Sequence, residues 1–240
     1  MKADDCNGNV KAGFGAANGS AGASMNDGEE INLSAKHDAE SGEYERYFTI
    51  NEGSVVLDLG AHVGHFSEVA HRKGAFVIAF EPHPINLKWL NRRMPCQNTI
   101  VVNGAAWDKN ELLKLHECPL NSGAHSLFKH DQCSDVEYTV VCYDIGEFIG
   151  LFHLKPDFIK VDTEGAEYRI LSSLFQRGIR TSMAIECHSA DLYSSCRAVA
   201  EANSMTWLPN EVHVGVCYCF PKQQRHRITL PRVCDFQSQS

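Results

Sequence analysis

Three carboxylates fall within six positions where an apolar stretch of the sequence ends: Asp162, Glu164 and Glu167. Carboxylates in such a position can take a proton from an attacking hydroxyl, or they can bind a cation. Helix capping is a plainer interpretation, with Asp162 or Thr163 as the N-cap and the glutamates as first-turn acids. Capping does not explain Lys160, which shares a strand face with Asp162.

A second apolar run ends in Glu186 and His188. If the two runs are neighbouring parallel strands, His188 lies beside Asp162, because the carboxyl ends of such strands meet at one edge of the sheet. An imidazole titrates in the range that proton transfer needs, although a histidine at a strand end can equally serve the structure alone. Asp162, Glu164 and His188 are therefore our candidate catalytic bases. With Glu186 they could instead bind a divalent cation, but we favour catalysis without a metal, because carboxylates can act as the base unaided.

A glycine turn joins the apolar run Val55–Leu59 to a helical pattern. Gly60 allows the chain to turn where a side chain would clash, and Gly64 opens the helix. A strand, a glycine turn and a helix N-terminus form a site for a polar or anionic group. The next apolar run ends in Glu81 and Pro82, and a carboxylate at that point can accept both hydroxyls of a ribose. The pattern predicts a pocket for a nucleoside-bearing cofactor.

The spacing of the glycines distinguishes two classes of cofactor. A dinucleotide site needs G-x-G-x-x-G, so that the backbone can approach a pyrophosphate. This chain has G-x-x-x-G, with Ala61 and His62 where the middle glycine would fall. The looser turn resembles the first motif of class I S-adenosylmethionine-dependent methyltransferases, whose cofactor has no pyrophosphate. Two alternatives stay open: a nicotinamide-dependent Rossmann oxidoreductase, and a catalytically silent binding module of the same fold.

Strand and helix patterns alternate from residue 54 onward. Strands are predicted at 54–59, 75–81, 99–104, 157–162, 182–187, 204–208 and 212–220, and helices at 64–73, 84–93, 143–149, 165–177 and 190–202. The alternation predicts an α/β fold with a doubly wound, Rossmann-like, mostly parallel seven-stranded sheet, an antiparallel C-terminal strand and helices on both faces. Between Asp108 and Val141 the pattern is irregular, with strands indicated near 112–115 and 138–142. We call the segment 118–138 the flap and expect it to cover the site.

These motifs resemble one family. The strings VVLDLGAHVG, AFEPHP and FIKVDTEGAEYRIL are similar to those of the FkbM family of S-adenosylmethionine-dependent methyltransferases, over roughly Glu43 to His188. The string K-x-D-x-E-G-x-E is the family's most specific mark, whereas the other motifs belong to the whole superfamily. The resemblance implies transfer of a methyl group from S-adenosylmethionine to a hydroxyl oxygen, on a sugar, a glycan or another small-molecule acceptor such as a natural product.

The resemblance also implies roles for individual residues. Asp162 and Glu164 would face the substrate and the sulfonium. Ten residues would contact the cofactor: Asp58, Gly60, Ala61, His62 and Gly64 at the methionine end, Glu81 and Pro82 at the ribose, and Asn103, Ala105 and Ala106 at the adenine. His62 departs from the family, which more often has a small polar residue there. The match after His188 is loose, so acceptor specificity does not carry over.

Composition bounds the remaining possibilities. The 240 residues suit one methyltransferase domain over 41–230, with a disordered Gly/Ala/Asn/Ser-rich extension over 1–40 and a tail over 231–240. Residues 41–48 are expected to form a short helix at the cofactor edge.

A net charge of −8 argues against a nucleic-acid partner. Without a span-length apolar stretch or a signal-peptide core, we expect a cytoplasmic protein. The ten cysteines show no zinc-finger spacing, and we expect most of them to be reduced, apolar side chains.

Overall fold

The computed structural model describes residues 42–209 and 215–222. The strands are β1 (Val55–Leu59), β2 (Phe76–Glu81), β3 (Thr99–Asn103), β4 (Ala105–Trp107), β5 (Glu111–His116), β6 (Glu137–Asp144), β7 (Phe158–Val161), β8 (Ser182–Cys187), β9 (Met205–Leu208) and β10 (Gly215–Pro221). The helices are α1 (His65–Arg72), α2 (Pro84–Arg93), α3 (Ile145–Leu151), α4 (Glu167–Gln176) and α5 (Ala190–Ala202). None of these helices is long and apolar enough to cross a membrane. The predicted extension 1–40 and tail 231–240 lie outside the described residues.

Seven strands form the main sheet in the order β3-β2-β1-β7-β8-β10-β9. The first five strands in this order are parallel to one another: β3, β2, β1, β7 and β8. Strand β10 runs antiparallel to both of its neighbours, β8 and β9. This is the doubly wound, Rossmann-like arrangement that the alternation predicts. The chain changes direction across the sheet between β1 and β7, and open α/β sheets bind ligands outside the carboxyl ends of their strands at that point.

The main sheet is buried on both faces. Leu57 and Leu59 of β1 belong to one apolar cluster, and Val56 between them belongs to another. Successive residues of a strand point to opposite faces, so each cluster fills one face. Helix α4 covers the first cluster through Ile170, and α1 covers the second through Phe66. This two-sided burial explains why the parallel strands are nearly continuous apolar runs.

A smaller sheet of three strands, in the order β4-β6-β5, follows the third strand of the main sheet. It contains the two strands that were indicated within the irregular stretch. Strand β6 continues to Asp144, so the helix that was predicted from residue 143 begins at Ile145. The Asp144 carboxylate caps that helix by accepting the Glu147 amide at 3.0 Å. The flap connects β5 to β6.

Candidate active site

The glycine turn after β1 is shaped by how closely it passes the end of β7. Gly60 has a φ of +81°, and a Cβ placed on it would lie 1.8 Å from the carbonyl oxygen of Asp162. Gly64 has a φ of +91°, and its added Cβ would lie 2.6 Å from Cδ1 of Leu90. Gly60 is therefore required by its packing against backbone, and Gly64 is favoured by its left-handed φ, whether or not a ligand is bound.

Glu81 ends β2 directly beside this turn. Its two carboxylate oxygens accept the backbone N–H groups of His62 and His83, each at 2.8 Å. Burial raises the pKa of Glu81 to about 8, although the two amides, Lys160 and Asn86 all act to lower it. Each carboxylate oxygen keeps a further lone pair, so hydroxyl groups of a ligand can still donate to it. This geometry fits the ribose-binding role that was predicted for Glu81.

Lys160 connects the glycine turn to the acidic end of β7. Its Nζ donates to the Gly60 carbonyl at 2.9 Å and lies 3.2 Å from a carboxylate oxygen of Asp58 and of Asp162. Asp58 is fully buried, and its other oxygen accepts the Ser67 hydroxyl at 2.6 Å. Burial acts to lower the pKa of Lys160, but the charges of Asp162 and Asp58 outweigh it and raise that pKa. Asp58, predicted as a cofactor contact, thus supports the turn from beneath.

Tyr44 lies over the ends of β7 and β8. Its hydroxyl donates to Glu186 and also lies 3.1 Å from an oxygen of Asp162. Burial raises the pKa of Glu186, and the charge of Asp162 adds to this effect. Burial acts in the same direction on Asp162, but the charges of Lys160 and His188 outweigh it and lower that pKa. Asp162 is therefore ionised at neutral pH.

His188 follows β8 and faces three of the acids. Its Nε2 lies 3.2 Å from Glu164, 3.6 Å from Asp162 and 4.0 Å from Glu186. Burial acts to lower the pKa of His188, but the hydrogen bond and charge of Glu164, together with the charges of Glu167 and Asp162, raise it to about 9. The ring is therefore an imidazolium ion at neutral pH. In the unliganded protein, this predicted base already carries its proton.

The loop between β7 and α4 holds Glu164 with a φ of +55°. Non-glycine residues rarely adopt this left-handed conformation, which costs roughly 1–3 kcal/mol and is often found at functional sites. Glu167 organises the loop, because its carboxylate accepts both the amide and the hydroxyl of Thr163. The N-cap of α4 is Ala166, so the alternative prediction of Asp162 or Thr163 as the N-cap is wrong. Local loop structure thus accounts for Glu167 and leaves Asp162 and Glu164 to be explained.

The flap touches both sides of the site. Ser122 Oγ lies 2.9 Å from Nε2 of His62 in the glycine turn. Asn86 Nδ2 also donates to the Ser122 carbonyl at 2.9 Å. At the other side, the Ser126 hydroxyl donates to the Glu164 carbonyl at 2.6 Å. The flap therefore bridges the glycine turn and the acidic loop.

The sequence matches the family described as the methyltransferase FkbM domain over residues 58–211. The chain belongs to the FkbM methyltransferase family. The predicted class, an S-adenosylmethionine-dependent methyltransferase, is confirmed by this match. The matched range contains the glycine turn, Glu81, the acidic loop and His188, whereas Tyr44 precedes it.

Solved methyltransferase structures resemble this FkbM protein at low sequence identity. Precorrin-6y C5,15-methyltransferase from Geobacter metallireducens GS-15 is 12% identical with a TM-score of 0.43, and the comparison covers 78% of this chain and 85% of that one. Magnesium protoporphyrin IX methyltransferase (ChlM) from Synechocystis PCC 6803, with bound SAM, is 10% identical with a TM-score of 0.47, covering 84% and 87%. TYW2 from M. jannaschii, in complex with AdoMet, is 14% identical with a TM-score of 0.41, covering 77% and 72%. No curated protein matches the sequence.

The predicted adenine contacts of the FkbM protein lie in different environments. Asn103 is exposed at the end of β3, where it pairs in register with Glu81. Ala105 and Ala106 are only 5% and 3% exposed and pack inside the larger apolar cluster. Asn103 is therefore the member of this set whose side chain is open to a ligand, and the adenine role stays a prediction.

Sequence reasoning missed two residues of the FkbM site. The spacing of Lys160 and Asp162 placed them on one strand face, and that was the available signal for their ion pair. Lys160 also reaches Gly60, which is distant in sequence, and the pattern gave no sign of that contact. Tyr44 lies in the segment that was expected to cover the cofactor edge, yet nothing in the sequence distinguished its hydroxyl from that of Tyr47.

Proposed function

We propose that this protein transfers the methyl group of S-adenosylmethionine to a hydroxyl oxygen of a sugar or another small-molecule acceptor. The observation that carries the proposal is an acidic edge beside the glycine turn. Its charged side chains are two cations, Lys160 and His188, and five carboxylates, Asp58, Asp162, Glu164, Glu167 and Glu186.

The negative net charge of this acidic edge favours S-adenosylmethionine over a nicotinamide dinucleotide. S-adenosylmethionine supplies an electrophilic methyl group on a positively charged sulfonium, and it also carries an ammonium group. Excess negative charge stabilises both cations, whereas it would repel the pyrophosphate of a nicotinamide dinucleotide. Glu81 can accept ribose hydroxyls while the backbone amides of His62 and His83 hold it in place. The residues present therefore fit S-adenosylmethionine.

We assign the proton-accepting role to Glu164. Asp162 is a weaker base, because Lys160 and Tyr44 already contact its carboxylate and its pKa is lowered. His188 is protonated at neutral pH, and its Nε2 lies 3.2 Å from Glu164. In this assignment, the imidazolium would orient the Glu164 carboxylate, which would take the proton of the acceptor hydroxyl. The new oxygen–methyl bond would form as the methyl–sulfur bond breaks, with S-adenosylhomocysteine as the leaving group. Alignment of the reacting atoms contributes most of the rate.

Titration calorimetry with S-adenosylhomocysteine tests the cofactor assignment. We expect binding at micromolar concentration or tighter, and no heat with NAD under the same conditions. Binding of NAD instead would support the oxidoreductase alternative, and binding of neither would refute the proposal. Acceptors can then be screened with 13C-methyl-labelled S-adenosylmethionine, because a product signal in the methoxy region identifies O-methylation and an N-methyl or C-methyl signal contradicts it.

We further propose that the transfer does not need a metal ion. Asp162, Glu186 and His188 have possible ligand atoms within 4.8 Å of one another, which is a spacing that a divalent cation could use. However, Lys160 and Tyr44 already contact these carboxylates, and His188 is itself cationic. We expect magnesium to leave the activity unchanged after treatment with EDTA and gel filtration. Loss of activity that magnesium restores would reverse this assignment.

A further inference from the structure

The flap contains two thiols and an imidazole that meet at one point, outside the acidic edge. Cys118 Sγ lies 3.0 Å from Cys133 Sγ and 3.5 Å from His130 Nε2. The three possible ligand atoms all lie within 4.8 Å of one another. We propose that Cys118, His130 and Cys133 bind a zinc ion that holds the flap in its folded shape.

The separation of sulfur and nitrogen fits a metal site. Zinc binds cysteine sulfur at ~2.3 Å and histidine nitrogen at ~2.0 Å, so a sulfur and a nitrogen on one tetrahedral ion lie about 3.5 Å apart. Cys118 and His130 show that separation. Two sulfurs on the same ion lie about 3.8 Å apart, so the thiols, which lie 3.0 Å apart, would open by about 0.8 Å. A disulfide would require them to close by about 1 Å, and it would leave His130 Nε2 with the Ala124 carbonyl, 3.4 Å away, as its partner.

The flap backbone already presents these side chains to one another. The amide of Cys133 donates to the His130 carbonyl at 3.0 Å, which closes the turn between the two ligands. The Cys118 amide donates to Nδ1 of His125 at 2.9 Å, and the His125 ring stacks on His83 with centroids 3.7 Å apart. The contacts of His125 are therefore with Cys118 and His83, and we do not include it among the zinc ligands. With three protein ligands, the fourth position of a tetrahedral ion is left to water.

Zinc at this point would act on the active site through the flap. Ser122 and Ser126, which contact His62 and Glu164, both lie between Cys118 and His130 in the chain. An ion that joins Cys118 to His130 closes this loop and restricts the two serines, which lowers the entropy lost when the flap is ordered. The expected effect on cofactor affinity rests on the proposed function, whereas metal binding itself does not.

Metal content of the purified full chain tests the site directly. After preparation with a phosphine reductant and no chelator, we expect about one zinc per chain by mass spectrometry. Cys133→Ser and His130→Ala should each lose at least four fifths of that zinc, whereas His130→Cys should retain it. Cys96→Ser is the matched control, because Cys96 is an exposed cysteine outside the flap. Circular dichroism should show that each variant is folded.

Cobalt substitution gives a second readout. We expect the cobalt-loaded wild-type chain to show the intense visible bands of tetrahedral coordination and a thiolate charge-transfer band, both absent from Cys133→Ser. Absence of zinc and cobalt binding from the folded wild type would overturn the proposal. Counting thiols in denaturant before and after reduction, in protein purified without reductant, then identifies the reason: eight rising to the ten cysteines of the sequence would mean a disulfide, and ten throughout would mean free thiols. Neither outcome depends on whether the protein transfers methyl groups.

Discussion

The two halves of the active site are held together in different ways. The glycine side is held together by backbone groups: two amides hold Glu81, and Gly60 packs against the Asp162 carbonyl. The acidic side is held together by charged side chains, through contacts among Lys160, Asp162, His188 and their neighbours. The packing of Gly60 is insensitive to pH and salt, so the glycine side responds to pH through the Glu81 carboxylate, whereas the whole charge network of the acidic side responds to both. The first half is therefore suited to hold a cofactor, and the second to respond to a reacting group.

The largest effect should come from a side chain at Gly60. Gly60→Ala places a Cβ 1.8 Å from the Asp162 carbonyl, so the turn or the end of β7 must move. We expect a loss of about 4 kcal/mol or more in the free energy of unfolding, measured with urea. Gly53→Ala is the matched control, because Gly53 has a φ of +79° and nothing within 4 Å of an added Cβ. A cost of about 1 kcal/mol is expected there. Equal losses would show that backbone strain, and not the close approach, sets the need for glycine.

Lys160→Met should have the next largest effect. It leaves the fully buried Asp58 without its cation, and an unpaired buried charge costs about 3–5 kcal/mol. Adding Asp58→Asn should recover part of the loss in urea unfolding. The exposed ion pair of Arg197 and Glu201 provides a control, since Arg197→Ala should cause no measurable loss. If Lys160→Met is equally harmless, the ion pairs do not hold the two halves together.

The stability contributed by His188 should depend on pH. Its pKa is raised to about 9 in the folded protein, so its contribution is fully present below the unfolded value and is lost as pH rises through about 9. We expect His188→Asn to cost about 2 kcal/mol near pH 6 and far less near pH 10, measured by urea unfolding. A cost that is the same at both values would mean that the imidazolium does not form.

Glu81 should make cofactor affinity depend on pH. Burial raises its pKa to about 8, and ribose hydroxyls favour the ionised form, so affinity should fall as pH drops below about 8. We expect S-adenosylhomocysteine to bind about tenfold more weakly near pH 6.5 than near pH 8.5. Glu81→Gln should bind weakly at both values, with a much smaller difference between them. A wild-type affinity that is constant over this range would contradict the proposed role of the carboxylate.

Removal of the Tyr44 hydroxyl should have the smallest effect. Tyr44→Phe keeps the ring against Phe66 and deletes the donor to Glu186 and Asp162. We expect a cost of about 1 kcal/mol in thermal or urea unfolding, because the two carboxylates stay partly exposed to water. The neighbouring Tyr47→Phe should change less. A larger cost for Tyr47→Phe would mean that the hydroxyl of Tyr47, and not that of Tyr44, holds the segment in place.

The sequence allows the glycine side to be predicted more completely than the acidic side. A turn that needs Gly60 and an acid such as Glu81 at the next strand end are local patterns. Local patterns involve residues that are close in sequence, so they can be recognised without the structure. The bonds from Tyr44 to Glu186 and from Lys160 to Gly60 span 142 and 100 positions, so they exist only once the sheet is assembled. The raised pKa of His188 likewise results from Glu164, Glu167 and Asp162, which come near the ring only once β7 and β8 pair.

The small sheet was predicted in part for a related reason. The alternation of β5 and β6 is visible in the sequence, and both strands were indicated. The three residues of β4 are too few to show a period, and their parallel pairing with β6 follows from the tertiary fold. The three flap ligands were missed because Cys118 and Cys133 are too far apart to match a zinc-finger spacing.

Binding of S-adenosylhomocysteine to two variants tests most directly whether the halves have separate tasks. We expect Glu164→Gln to bind within about threefold of the wild type, because this carboxylate is assigned to the acceptor. Glu81→Ala should bind at least tenfold more weakly, because it loses the acceptor of the ribose hydroxyls. Titration calorimetry at a single pH measures all three affinities. An equal loss in both variants, or an unchanged affinity in Glu81→Ala, would contradict the division of the site into a cofactor side and a reacting side.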